Sequence, residues 1–592
     1  MQFTDTSEKD FQKYIVKELC TKGGYEESAS NDFDKEFCIN TKQLLSFIEH
    51  TQPEKYEMIQ RKGERAFLVR LDEKLRKLGV IEVLRKGIKH FDKTIDLFYR
   101  QPSSSYNFKD LEKYKANIFS VTQELVYSNE NANRLDLTIF LNGIPIITTE
   151  LKNPLSGQTV YNGIRQYQND RDPKEKIFSF ARCMVHFAAD TELVYMTTEL
   201  KGKKSFFMPF NKGLNNGEST GEFGAGNPVN PNGLKTHYFW EEILSKDSLS
   251  NIIDKFAQVI EEKNEDTGKT KKKMIFPRYH QITVVRAILA HAKKQGIGKK
   301  YLIQHSAGSG KSKSIAWLTH QLHGLFDTSG ETHLFDSVIV ITDRIVLDKQ
   351  LREEIKQFSP KRGIVEAITG VGGSKTNQLK EAFANRKKVI ICTIQTFPFL
   401  LEEMEEMPVS NFAIVIDEAH SSQSGQTSAK MNAALADKHN DNNEDEEEPT
   451  LEDKINELIE SRKMITNGSY FAFTATPKNK TLETFGVKSD ETYTDENGEV
   501  KTKFYAFHNY SMKQAIEEEF ILDVLKNYTT YNSYYKLIKA VENNPEFDTK
   551  EAQKKLRAYV EGHEFAIAEK AKIMIDHFHK DVKHLIKEKQ NQ

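Results

Sequence analysis

The sequence is poor in cysteine, tryptophan and proline, and it has no long apolar run. Its four cysteines among 592 residues (Cys20, Cys38, Cys183 and Cys392) lie far apart and form no C-x-x-C pair. That spacing excludes a disulfide-built scaffold and argues against a structural zinc site. No window approaches the roughly 20 apolar residues of a membrane span. The N-terminus, MQFTDTSEKDFQKYIVKEL, has no basic cap ahead of an apolar stretch. A cytoplasmic protein without a membrane partner is the expectation. An excess of one charge is missing too: 84 Lys and Arg against 86 Asp and Glu leave a net charge of -2. Global charge therefore does not hold this chain on nucleic acid, and any such contact must come from local basic stripes. What is present is 38% hydrophobic residues, over a length that allows roughly three to five domains.

The periodicity changes along the chain. Residues 7–22 predict an amphipathic helix with Ser7 as N-cap and Phe11, Ile15 and Leu19 four apart. Strand-like alternation starts near 119 with VTQELVY, RLDLTIF and IPIITTEL, and an α/β pattern runs to about 200. The Gly- and Asn-rich stretch NKGLNNGESTGEFGAGNPVNPNG then predicts a long surface loop. Residues 260–273 are charged and lack apolar spacing, as a linker would. A second series of β-rich runs follows: YLIQHSAG, SVIVITD, KVIICTIQTF, FAIVIDEAH and SYFAFTAT, as in a largely parallel sheet. The acidic run DKHNDNNEDEEEP (437–449) reads as a hydrated insertion, and 511–592 as charged helices. The expected division is 1–255, a 256–273 linker, 274–510, and a helical segment 511–592.

Between the strand YLIQ and a helical stretch lies HSAGSGKS (305–312), which is where a phosphate loop belongs. Gly308 and Gly310, with Ser309 between them, let successive N–H groups turn towards phosphates. Lys311 would bridge the β- and γ-phosphates and Ser312 would hold Mg2+. The strict pattern has Gly at the first position, where this chain has His305. At the end of AIVID, Asp417 can bind Mg2+ and Glu418 can activate a water, with His420 coupling the site to motion. His280, His305 and His420 belong to separate motifs and lack zinc-ligand spacing.

RLDLTIFLNGIPIITTELKNP (134–154) carries Asp136, then Glu150 and Lys152 in E-x-K spacing on one strand face. A two-residue Asn142-Gly143 turn would set 136 against 149. A three-residue connection through Ile144 would pair 141 with 145 and 136 with 150, and this second register is the expected one. Two carboxylates so placed suit a hard divalent cation, and Lys152 would orient water or stabilise transition-state charge.

The motif series is similar to the superfamily 2 helicase and translocase motor: HSAGSGKS, VITDRIVLDKQL, TIQTF, DEAH and TAT. The resemblance implies a RecA-like domain binding ATP and Mg2+. It places Thr342 and Arg344, Thr393, and Thr474 and Thr476 at nucleic-acid or coupling positions. In RYHQ it makes Gln281 the adenine reader. With the Asp…Glu-x-Lys hairpin ahead of that motor, and with ELKNP, IRQYQNDRDP, FARCMVHFAAD, FMPFNKG and AGNP, the chain resembles the restriction (motor and nuclease) subunit of type I restriction–modification systems. That family implies an α/β PD-(D/E)xK nuclease domain followed by the motor, in a Mg-dependent endonuclease and ATP-driven double-stranded DNA translocase. Its partners are methyltransferase and specificity subunits, and it cuts away from the recognised site. Glu8 matches the acid that the nuclease group brings from its first helix. Tyr167 matches the Tyr of a Gln-x-x-x-Tyr element, although Gly163 stands at the Gln position; Gln158, Gln166 and Gln168 are substitutes. Arg165 and Arg171 are candidate phosphate contacts. No second RecA-like domain or arginine finger is found, so a shortened chain that binds nucleotide with little turnover is expected. The alternative is a superfamily 2 helicase or remodeller whose N-terminal domain does not cut.

Overall fold

Ser7 caps the first helix, α1 (Glu8–Thr21), by accepting the N–H of Asp10 at 3.2 Å, and Phe11, Ile15 and Leu19 are buried along its inner face. The computed structural model describes residues 7–102, 107–263, 268, 270–342, 345–358, 363–368, 374–405, 410–417, 467–494 and 498–523. It also describes 571–579 apart from 573 and 576. Met1–Glu518 form one unit and Glu519–Gln592 another. Within the described part of the first unit, two seven-stranded sheets dominate.

The N-terminal sheet is ordered β1 (Glu26–Glu27), β2 (Phe119–Val126), β3 (Arg134–Leu141), β4 (Ile144–Leu151), β5 (Val185–Ala189), β6 (Val194–Thr197) and β7 (Met208–Pro209). β4 and β5 are parallel while β2, β3 and β4 form an antiparallel meander. Val121, Leu137, Ile139 and Ile147 pack with α1 and with helices Thr41–Thr51 and Glu64–Leu78. Phe140, Leu125, Val160 and Tyr167 pack on the other side, where α2 (Val160–Asn169) lies. Both faces are covered, which is why β4 is buried at every position.

The β3–β4 connection differs from the expected one. Leu141 pairs with Ile144 across a two-residue Asn142-Gly143 turn, with φ of 51° and 79°. Left-handed backbone at both positions is the turn that matches the twist of a hairpin. The ladder then slips: Phe140 pairs with Pro145, but Ile139 pairs with Ile147, leaving Ile146 as an extra residue. Pro145 has no N–H to give its partner, so the ladder breaks there. Leu137 pairs with Thr149 beyond the bulge, which brings Asp136 level with Glu150. The expected level is reached by an unexpected route.

Residues 256–273, expected as a linker, instead contribute to an antiparallel ribbon, β8 (Gln258–Lys263) with β9 (Thr270–Ile275). Val259 and Ile260 pair with Met274 and Lys273 and fold the apolar half of the ribbon into the core. The second sheet is entirely parallel. Its order is β12 (Val365–Ala367), β13 (Val389–Thr393), β11 (Ser337–Thr342), β14 (Phe412–Ile416), β15 (Gly468–Thr474), β10 (Lys300–His305) and β16 (His508–Tyr510). Parallel strands put all their C-terminal ends on one edge. The tips of β10, β15 and β14, carrying the phosphate loop, Thr474 and Asp417, are therefore side by side. Of the expected C-terminal helices, the described residues include α5 (Met512–Glu517) and helical turns within 571–579, and most of 511–592 lies outside them. The acidic run 437–449 also lies outside the described residues.

Candidate functional site

At the end of the β3–β4 hairpin the ladder gives way to side chains. The N–H of Leu151 donates to Asp136 Oδ2 at 2.6 Å. Lys152 Nζ lies 3.9 Å from the same oxygen and 2.9 Å from Glu8 Oε1. Glu8 and Gln12 are one turn apart on α1, and Gln12 Nε2 donates to the Asp136 carbonyl. This face of α1 is what carries the Glu8 acid to the strand end. Glu150 is fully buried, and Arg171, read from sequence as a phosphate contact, is buried beside it. Both Nε and Nη2 of Arg171 lie 2.8 Å from Glu150 Oε1. Glu150 Oε2 has no hydrogen-bond partner.

Burial pushes the Asp136 carboxyl up to about 6, against the opposing pull of Lys152 and the Leu151 N–H. Burial and then the neighbouring Asp136 charge hold Glu150 well above the usual carboxylate range, with Arg171 opposing. A buried carboxylate oxygen without a partner, beside a second carboxylate and a third acid on α1, is a donor set of hard oxygens that fits a divalent cation. Among the described residues, however, the group of three acids and histidines whose ligand atoms all lie within 4.8 Å of one another is elsewhere: Glu18, His237 and Glu241. There Lys22 Nζ is 3.7 Å from Glu241 and also pairs with Glu18, so a cation of the chain already sits in that cluster.

Tyr167 is fully buried, with its hydroxyl 2.8 Å from Thr148 Oγ1, which in turn lies 2.7 Å from His186 Nδ1. Its place is under the sheet, where it orders the strand behind Glu150. A Cβ built on Gly163 would lie 3.4 Å from the Ala188 Cβ and 3.6 Å from the Glu150 Cβ, ordinary van der Waals contact, so α2 packs directly on the strands there. Gln168 Nε2 donates to the Ser205 carbonyl, Gln158 is exposed and Gln166 half-buried. Arg165 is exposed.

In the parallel sheet, β10 ends at His305 and the loop turns through Gly308 and Gly310, with φ of 76° and 75°, into α4 (Lys311–His323). Lys311 Nζ donates to the His305 carbonyl at 3.2 Å, and Ser312 follows in the first turn of the helix. His305 stands in extended backbone that needs no glycine, and its Nε2 is 2.9 Å from His508 Nδ1. Arg278 Nη2 donates to the Gly308 carbonyl at 2.8 Å. Gln281 Nε2 donates to the carbonyls of Ser309 (3.1 Å) and Gly310 (3.2 Å), while its Oε1 accepts the Arg278 N–H. Gln281, on α3 (Tyr279–Gln295), thus braces the phosphate loop from the position expected of an adenine reader.

Both halves match known families. Residues 5–205 match the family model "Type I restriction enzyme R protein N terminus", and residues 280–440 match "SWI2/SNF2 ATPase". A putative type I restriction enzyme MjaVIIIP endonuclease subunit of Methanocaldococcus jannaschii is 24% identical over 384 residues, 61% of this chain and 33% of that protein. The type I restriction enzyme HindI endonuclease subunit of Haemophilus influenzae is 24% identical over 338 residues, 54% of this chain and 29% of that one. A Staphylococcus aureus subunit, SauCOLORF180P, is 22% identical over 447 residues, 74% and 39%. The chain spans about a third of the length of these relatives. Among solved structures, the Sulfolobus solfataricus SWI2/SNF2 ATPase core in complex with dsDNA is 17% identical, with TM-score 0.21, covering 34% of this chain and 33% of that one.

Residues 280–440 therefore read as an ATPase domain of the superfamily 2 type, with the phosphate loop that ATP binding needs. Asp417 is buried at the tip of β14, its N–H bonded to the Ile341 carbonyl at 3.0 Å. Glu418 and His420 lie outside the described residues, as does Arg344. Thr342 and Thr393 are buried, the latter accepting from Lys375 Nζ at 3.2 Å, so neither hydroxyl is displayed to a nucleic-acid backbone here. Thr474 is buried beside Gln304 of β10, while Thr476 is exposed. No helix among the described residues is long and apolar enough to cross a membrane.

Sequence reasoning missed the second ring around the phosphate loop. His280 stacks on Tyr510 with ring centroids 4.0 Å apart, and Arg278 lies over the same ring. Tyr510 donates to Glu518 Oε2 at 2.7 Å. The Gly- and Asn-rich stretch expected as a surface loop packs on this layer. The Asn509 N–H donates to the Gly217 carbonyl at 2.7 Å, and the Ala225 N–H donates to Glu517 Oε2 at 2.7 Å. His508 and Tyr510, just before SMKQAI, are the sequence signal for it, but β16 is too short to show a period.

Proposed function

We propose that this chain joins a Mg-dependent DNA endonuclease centre to an ATP-driven double-stranded DNA motor, as a restriction subunit that works with methyltransferase and specificity subunits. One observation carries the nuclease reading: Asp136, Glu150, Lys152 and Glu8 gather at one strand end, with Glu150 Oε2 buried and unpartnered. Asp136 and Glu150, with Glu8 at the rim, would hold the Mg2+, which supplies Lewis-acid polarisation of the phosphodiester. Lys152 holds a positive charge between Glu8 and Asp136, where it would orient water and stabilise charge developing on phosphate. Arg171 opposes the rise that burial and Asp136 impose on the Glu150 carboxyl. At the motor, Lys311 and Ser312 would take the β- and γ-phosphates and the Mg2+ of ATP, Asp417 would help hold that Mg2+, and Glu418 would activate the attacking water.

A second reading is a superfamily 2 motor whose N-terminal domain does not cut. It is favoured by the motor match and by Lys152 and Arg171, which already neutralise the acids. Plasmid DNA incubated with Mg2+ separates the two, using the chain alone and with partner subunits and ATP. The nuclease reading expects cutting that Asp136→Ala removes in every setting and that Lys311→Ala removes only where the motor takes part. Cutting absent throughout, or unchanged by Asp136→Ala, leaves the motor reading alone.

A further inference from the structure

Arg171 follows α2 in the segment IRQYQNDRDP, where its charge suggested a phosphate contact. Its side chain is 5% exposed and that of Glu150 is 0%. Nε donates to the single oxygen Oε1 at 2.8 Å, and Nη2 lies 2.8 Å from the same oxygen as an ion-pair contact. Nη2 also donates to the Arg134 carbonyl at the start of β3, at 2.6 Å, and the group lies 5.9 Å from the centre of the Tyr127 ring. These contacts fix the guanidinium between Glu150 on β4, the start of β3 and the ring just past β2. Turning the Glu150 carboxylate away would break its bond to Arg171, so one oxygen stays with Arg171 and the other is left over. From the other side α2 packs against the Glu150 Cβ at Gly163.

We propose that Arg171 is the positioning residue of the metal site, holding Glu150 by one oxygen so that the other is presented to the cation. This rests on the nuclease reading. An arginine holds the Glu150 oxygen through Nε and the Arg134 carbonyl through Nη2 at once, in a fixed geometry that a lysine's single nitrogen cannot reproduce. A site with one acid pre-oriented loses less on binding its metal than a site whose acid must be ordered first.

The test measures Mn2+ binding by the full chain without DNA, following the loss of the free-ion paramagnetic resonance signal, in the wild type and in Asp136→Asn, Arg171→Met and Arg171→Lys. The Asp136→Asn-sensitive part of the signal defines the site. Arg171→Met is expected to weaken that part at least tenfold, with the melting temperature close to wild type. Arg171→Lys is expected to recover some of the affinity but not all. Should Arg171→Met fail to fold, Arg171→Lys alone decides, by a raised Mg2+ requirement for cutting at little-changed maximal rate. Unchanged or tighter Mn2+ binding by these variants overturns the positioning role while leaving the nuclease reading intact. If wild-type binding is insensitive to Asp136→Asn, the nuclease reading itself fails and this inference falls with it.

Discussion

Pro145 stands opposite Phe140 in the β3–β4 hairpin and has no N–H to offer it, and the next ladder pair is Ile139 with Ile147. That one missing donor decides which side chains meet at the far end. Without the extra residue Ile146, a two-residue turn would set Asp136 level with Thr149; with it, Asp136 is level with Glu150. A slip of one position in a strand exchanges its two faces. The carboxylate pair therefore depends on a proline nearly a whole strand away.

Metal-free protein should lose stability as pH rises through this site. Burial lifts the Asp136 carboxyl from its ordinary 3.8 to about 6. The folded chain thus keeps a proton that the unfolded chain releases, and the stabilisation present below about pH 4 is lost as pH climbs to about 6. The difference is about 3 kcal/mol, and Glu150, also raised, acts in the same sense. Thermal melting from pH 4 to 8 should show this slope in wild type and a flatter one in Asp136→Asn. Added Mg2+ should raise the melting temperature at pH 8 more than at pH 5.

Nucleotide binding should depend on Gly310 through both backbone and space. Its φ is 75°, and a Cβ there would lie 2.5 Å from Gln281 Nε2. Gly310→Ala adds about 1–2 kcal/mol of left-handed strain and pushes the brace off the loop. At least tenfold weaker binding of a fluorescent ATP analogue is expected, with part of the loss recovered in Gly310→Ala combined with Gln281→Ala. No recovery would mean that Gln281 is not the obstacle.

Lys311→Ala removes the ammonium now bonded to the His305 carbonyl. Analogue affinity should fall roughly 10- to 100-fold, the range for one charge-assisted bond. Far-ultraviolet circular dichroism and melting should hardly change, since the side chain is half-buried beside the loop and not part of the apolar core.

Arg182 is 1% exposed and joins the helical layer to the sheet. It pairs with Asp72 at 3.5 Å and donates to the carbonyls of Phe37 and Cys38. Arg182→Met leaves those carbonyls without a donor and weakens the neutralisation of a buried carboxylate. A loss of about 3 kcal/mol in urea unfolding is expected. A loss below half of that would show that Lys176 and Arg76, which also reach Asp72, suffice.

Tyr167→Phe keeps the ring under the sheet and deletes the hydroxyl bonded to Thr148. Stability should fall by about 1 kcal/mol while DNA affinity, measured by gel shift at fixed salt, stays at the wild-type value. A large loss of DNA binding would put Tyr167 in contact with DNA after all.

Much of this protein follows from its sequence alone, because the signals are local. The α1 cap at Ser7, the parallel strands VIVIT and AIVID, and the glycines of HSAGSGKS each need only a few neighbouring residues to be read. Pro145 was equally visible in IPIITTEL and signals the bulge, but its consequence depends on which residue faces it. Tertiary structure alone decided the rest. The ribbon at 258–275 forms because its apolar half finds a core. The Gly- and Asn-rich loop is ordered by His508–Tyr510 and α5, nearly three hundred residues away. Arg171 became a partner of Glu150, not a surface charge, because only the packed fold buries both and leaves each as the other's nearest compensation.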